Sequence, residues 1–120
     1  MSGEYRVKRV YEAVAGADGK RVLVDRLWPR GVPKAEAEVD VWAKGAAPSD
    51  ELRRWFHENR DEYGLFVERY EAELEGEAQR EVLAEVRELG ARHTVTLVTA
   101  AKDVERSHVP VLLRRLQEGG

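Results

Sequence analysis

The segment that most constrains the fold is Thr94-Val95-Thr96-Leu97-Val98-Thr99, an unbroken run of β-branched residues and leucine that ends at Ala100-Ala101. β-Branched side chains are stiff at χ1 and suit a pleated surface better than a helix. Apolar enough to be covered on both faces, the run predicts a central strand of a parallel sheet, its threonines notwithstanding. Parallel strands need crossovers, so helices must come from the rest of the chain. A second strand is expected at Arg21-Val22-Leu23-Val24-Asp25, after the Asp18-Gly19 turn signal. Between Arg6 and Tyr11, Val7 alternates with basic residues, which fits an edge strand or a hairpin partner closed through Gly16 to Lys20.

Helical spacing fills the middle and the end of the chain. Ser49 is a good N-cap, Asp50 and Glu51 complement the dipole, and Leu52, Trp55 and Phe56 share a face. Tyr63, Phe66, Val67, Tyr70 and Leu74 predict a helix over about residues 61–74, and Gly76 punctuates it. Ala78, Val82, Val86 and Leu89 predict another that stops at Gly90, placed as a C′ residue. The last helix is expected from His108 to Gln117, with Pro110 in its first turn. From Leu27 to Pro48 a long loop is expected, because Pro29, Gly31 and Pro33 break regular structure, with Leu27, Trp28 and Trp42 as apolar anchors. The order predicts an α/β fold: a small open, mainly parallel sheet packed by helices, one domain spanning residues 1–120.

Charge and composition narrow the function. Twenty Lys and Arg against 23 Asp and Glu leave a net charge of -3, which excludes a globally basic nucleic-acid binder. The acids between Glu68 and Glu88 read as solvated helix faces. With no cysteine there is no disulfide, thiolate nucleophile or cysteine metal site. No H-x-x-x-H spacing links any of the three histidines, so no metal ligand and no cofactor is assigned. Met1-Ser2-Gly3-Glu4-Tyr5 lacks the regions of a secretion signal, and no apolar run nears the roughly 20 residues of a membrane helix. A cytoplasmic protein with no membrane partner is expected, with Gly119-Gly120 as a frayed tail.

In open α/β sheets ligands sit beyond the carboxyl ends of the strands, so chemistry is sought after each one. The first segment is Asp25-Arg26-Leu27-Trp28-Pro29-Arg30-Gly31, whose guanidinium groups suit phosphate or carboxylate. Alternatively Arg26 pairs internally with Asp25 or Asp40, or packs on a tryptophan. The second runs from Ala100 to His108, where a helix start, Lys102 and Ser107 could hold an anion. The competing reading is plain capping by Asp103 or Ser107. Arg53 borders the apolar face of its helix and could reach a cleft.

The string Asp25-Arg26-Leu27-Trp28-Pro29-Arg30-Gly31, with Ala47-Pro48-Ser49, Leu52-Arg53-Arg54-Trp55-Phe56-His57 and Thr96 to Asp103, closely resembles the bacterial YeaO-like proteins, a family labelled as a domain of unknown function. The resemblance covers nearly the whole chain and implies a small α/β fold without supplying a reaction. Its motifs fall on Arg26, Trp28, Arg30, Lys44, Ser49, Arg53, Trp55, His57, Lys102, Asp103 and His108. Longer relatives carry a cysteine before the last histidine; here the pair is Ser107-His108, so a thiol mechanism does not transfer.

The leading expectation is a cleft that binds a small anion, phosphate-like or nucleotide-like. Arg26, Arg30, Arg53 and Lys102 would clamp it, Ser107 and His108 would donate, and Trp28 or Trp42 would wall the pocket. The first alternative is a metal- or histidine-dependent hydrolase or transferase, with His108 or His57 as acid/base and Asp25 or Asp103 orienting it. The second is a nucleic-acid module using arginines and tryptophans, against which net acidity and the lack of a recognisable motif both count. Neither a substrate nor an oligomeric state is legible.

Overall fold

The computed structural model describes residues 4–118, so the expected tail Gly119-Gly120 lies outside the described residues. Strands β1 (Tyr5–Arg9), β2 (Lys20–Leu23), β3 (Val41–Trp42) and β4 (Val95–Thr99) form one sheet in the order β1-β4-β2-β3. Every pairing is parallel. β4 is buried along its length, with Leu97 opposite Val7 on one side and Val22 on the other. The first strand is thus an edge strand and no hairpin partner of β2. Two neighbours satisfy both ladders of the apolar β4, whereas a β1-β2 hairpin would leave one of them open.

Five helices follow: α1 (Lys34–Ala37), α2 (Asp50–Glu58), α3 (Tyr63–Leu74), α4 (Glu77–Arg92) and α5 (Val109–Glu118). One face of the sheet, carrying Val22, Val24, Val95 and Leu97, packs on Leu52, Phe66, Tyr70, Leu74, Leu83, Val86, Val109 and Leu112 of α2 to α5. On the other face Val10 and Val98 pack with Ala37, Trp28, Val32 and Val39. That second layer is the expected long loop, which also holds α1, β3 and a 3-10 turn at Lys44–Ala46. Trp28 anchors it by donating its indole N–H to the Val32 carbonyl at 2.7 Å. Leu27 is no anchor, since 58% of it is exposed.

The turn before β2 is built on charge. Asp18, 3% exposed, accepts from Lys8 Nζ at 2.9 Å and Arg21 Nη1 at 2.7 Å, and its carbonyl accepts from the Thr96 hydroxyl at 2.7 Å. Burial raises its carboxyl, but the bonds from Lys8, the Ala15 N–H and Arg21 outweigh that and hold it below the usual range. Gly19 closes the turn at φ 65°, where an added Cβ would lie 2.2 Å from the Thr94 carbonyl oxygen.

Two more sequence readings change. Gly90 is not a C′ residue: α4 continues to Arg92, and Gly90 lets its last turn lie against Tyr5, whose hydroxyl would be 2.6 Å from a Cβ. The acids between Glu68 and Glu88 are not all solvated. Glu73 accepts from the Ser49 N–H at 2.8 Å and the Ser49 hydroxyl at 2.6 Å, whereas Glu71 and Glu75 form surface pairs with Arg114 and Arg115 that stay in contact with solvent. Ser49 is the N-cap of α2, accepting from the Leu52 N–H at 3.1 Å.

Candidate functional site

After β2 the chain turns to the second face of the sheet, and after β4 it passes through a 3-10 turn at Val104–Arg106 into α5 on the first face. Adjacent strands that send their chains to opposite faces leave a crevice at their carboxyl ends. Here that crevice is a cleft of about 870 Å³, lined by the residues after β2, the end of α2 with its following turn, and residues 100–103 and 106–108.

Its floor joins the two strand ends. Asp25 Oδ1 accepts from the Thr99 hydroxyl at 2.7 Å and Oδ2 from the Ala100 N–H at 2.8 Å. His108 Nε2 lies 3.3 Å from Asp25 Oδ1 and 2.9 Å from the Val24 carbonyl oxygen. A carbonyl oxygen only accepts, so this ring nitrogen carries a proton and donates. Both side chains are largely covered, 13% exposed for His108 and 16% for Asp25. Burial raises the Asp25 carboxyl, yet His108, the Ala100 N–H and the Thr99 hydroxyl together hold it below its ordinary value, so it is a carboxylate at neutral pH. Tyr70 meets the imidazole edge to face at 6.1 Å, its phenol pushed up by burial and the nearby Glu73 and Asp25.

The rim is cationic. Arg26, Arg30, Arg53, Arg60, Lys102 and Arg106 line the cleft against only Asp25 and Asp103. These groups are held differently. Arg26 donates Nε to the Pro48 carbonyl at 2.8 Å and Nη2 to Ala47 at 3.4 Å, so it pairs with neither Asp25 nor Asp40 and ties the loop to the start of α2. Arg53 reaches Asp50 at 3.4 Å in an exposed pair. Arg60 donates to His57 Nδ1 at 3.1 Å, and Arg106 donates to the Arg60 carbonyl at 3.1 Å. Among the described residues, Arg30 and Lys102 make no hydrogen bond or ion pair.

The expected site residues therefore converge, with different freedom. Arg26, Trp28, Arg30, Arg53, His57, Lys102, Asp103, Ser107 and His108 all line the one cleft. Ser107 is the capping residue of the competing reading: its hydroxyl donates to the Val104 carbonyl at 2.7 Å and accepts from the Val109 N–H at 3.1 Å. Its proton is thereby spent within its own turn. Asp25 is the carboxylate that meets His108; Asp103 is exposed and makes no side-chain hydrogen bond among the described residues. Trp42 does not wall this cleft. It donates its indole N–H to the Asp25 carbonyl at 2.7 Å and lines a separate depression beside α4. Sequence patterning does not single out Arg60 and Arg106, although Arg60 follows His57 by three residues and Arg106 precedes Ser107-His108.

A family model described as the inactive DUF488-N3 subclade matches residues 4–119. The chain belongs to that family. Relatives of this DUF488-N3i chain include an uncharacterized protein of Mycobacterium tuberculosis (strain ATCC 25618 / H37Rv), 48% identical over 111 residues that cover 92% of each chain. A protein of Mycobacterium bovis (strain ATCC BAA-935 / AF2122/97), also uncharacterized, matches equally, at 48% identity and 92% of each chain. The uncharacterized protein YeaO of Escherichia coli (strain K12) is 42% identical over 106 residues, 88% of this chain and 90% of YeaO. The YeaO-like resemblance is thus established, and with it a bacterial domain of unknown function. No solved structure matches the DUF488-N3i chain. No helix among the described residues is long and apolar enough to cross a membrane.

Proposed function

We propose that the cleft binds a small anion, a phosphate group either free or carried on a nucleotide. The observation that carries this reading is six cationic side chains around one cleft with two carboxylates, in a chain of net charge -3. Arg30 and Lys102, free of internal partners among the described residues, give up nothing within the protein when they meet an anion. Arg26 and Arg53 add partly committed guanidinium groups, and Trp28 with Leu27 forms an apolar wall for an attached group. The word inactive in the family description favours binding over turnover.

The test is isothermal titration of the intact chain with phosphate, pyrophosphate and nucleoside mono- and triphosphates. Replacing Arg30 and Lys102 together by alanine should weaken binding at least tenfold while leaving the melting temperature near wild type, since each charged hydrogen bond contributes roughly 1.5–3 kcal/mol. Equal affinity in the double variant, or no binding by any member of the panel, refutes the reading.

A second reading, a histidine-dependent hydrolase or transferase, is favoured by the Asp25-His108 contact alone. A metal-dependent version has less support, because no group of three or more potential ligands that could hold a metal occurs among the described residues. Turnover of a bound phosphate ester that disappears in His108→Ala while binding persists would select catalysis.

A further inference from the structure

We propose that anion binding in this cleft is coupled to the uptake of one proton by His108, with Asp25 as the positioning residue that turns the imidazole so that Nδ1 meets the ligand. The inference rests on the anion-binding reading above and adds the proton that such a ligand brings with it.

The geometry assigns the two ring nitrogens different tasks. Nε2 is pinned between the Val24 carbonyl oxygen at 2.9 Å and Asp25 Oδ1 at 3.3 Å. Asp25 is itself held by the Thr99 hydroxyl and the Ala100 N–H, so β2 and β4 jointly orient the ring. Nδ1 makes no hydrogen bond to the described residues, and it is not among the enclosed polar atoms that lack a partner. It is therefore not fully enclosed, and it belongs to a residue that lines the cleft. With Nε2 protonated, a neutral ring offers only the Nδ1 lone pair, which repels an anion. A proton taken from solvent turns that atom into a charged donor.

The surrounding charges say when this happens. Beside His57 and Tyr11, the cations Arg26 and Arg30 after β2, Arg53 and Arg60 from α2 and its turn, and Lys102 and Arg106 before α5 all share the cleft with His108. Together with the start of α5 they oppose a further positive charge. Asp25 and Asp103 favour it, and Tyr70 stays uncharged against the ring edge. An anion seated among the cations reverses their field, so charge on the imidazole becomes favourable as the ligand arrives. Asp25 then faces an imidazolium across a direct contact, which is the arrangement its ionised carboxylate suits.

The experiment is titration calorimetry with sulfate, which stays a dianion across the neutral range, so any proton exchanged belongs to the protein. Each titration is run in two buffers of different ionisation enthalpy. The wild-type chain should take up a fraction of one proton per sulfate, with affinity falling by up to about tenfold per pH unit as the solution becomes more basic. H108Q should abolish the buffer dependence while the rim cations still hold sulfate; H57Q should retain it; D25N should reduce it. Sulfate binding without proton uptake by the wild-type chain, or uptake that persists in H108Q, overturns the coupling and leaves the anion site standing. If neither sulfate nor phosphate binds, the anion site falls and the coupling with it.

Discussion

Replacing Arg26 by alanine should lower stability as well as any affinity for anions. Its Nε donates to the Pro48 carbonyl at 2.8 Å, while the 3.4 Å approach of Nη2 to Ala47 is too long to contribute much. A hydrogen bond from a charged donor contributes roughly 1.5–3 kcal/mol net. Arg26 is half-buried and water can replace part of the bond, so about 1.5–2 kcal/mol is expected. For a chain of this length that is a fall of roughly 5–10 °C in melting temperature. Urea unfolding followed by tryptophan fluorescence should show a lower midpoint with an unchanged slope. Arg26→Lys should recover only part of the loss, because a flexible, strongly hydrated ammonium does not reproduce the fixed direction of the guanidinium Nε–H. Arg30→Ala, which removes no internal bond among the described residues, should stay within about 0.5 kcal/mol of wild type. An Arg26→Ala chain as stable as Arg30→Ala would refute the stapling argument and leave Arg26 as a ligand group alone.

Ser49→Ala should cost about 1–2 kcal/mol in the same assay, since it removes the cap on Leu52 and the hydroxyl bond to Glu73. Gly19→Ala should cost roughly 2–4 kcal/mol through positive φ and the clash with Thr94, whereas Gly16→Ala, which meets nothing within 4 Å, should stay near wild type; equal stabilities would contradict the turn geometry. Because the folded Asp25 carboxyl lies below its unfolded value, its stabilising contribution is present above about pH 4 and is lost as pH falls through the folded value. Asp25→Asn should therefore flatten the acid limb of a stability-pH curve measured by urea unfolding, and an unchanged limb would exclude Asp25 as a source of acid sensitivity.

Much of the fold was legible because it depends on local patterns. β4 is marked by an unbroken run of β-branched residues and leucine, α2 by the Ser49 cap and α5 by Pro110 in its first turn. What misled was local evidence with two meanings. A glycine near a helix end signals a cap or a close approach, and only the position of Tyr5 decides for Gly90. An acid on a helix is solvated or paired according to what stands opposite, so Glu73 could not be recognised without Ser49 beside it. β3 is two residues long and cannot be told from loop in the sequence, since so short a strand has no period.

The candidate site divides in the same way. Sequence alone determined that the basic and polar residues of interest follow β2 and β4 and flank the end of α2, because strand ends, turn residues and helix starts are written in neighbouring side chains. It also determined the missing chemistry: without cysteine there is no thiolate. Tertiary structure alone decided which of those residues are free. Arg26 and Ser107 spend donors on carbonyls of their own chain, while among the described residues Arg30 and Lys102 do not; Asp25 rather than Asp103 meets His108; and Trp42 lines a separate depression. The physical reason is that a hydrogen bond is a relation between two groups, and groups 22 or 84 positions apart, as in Arg26 with Pro48 or His108 with Val24, become neighbours only when the sheet is assembled.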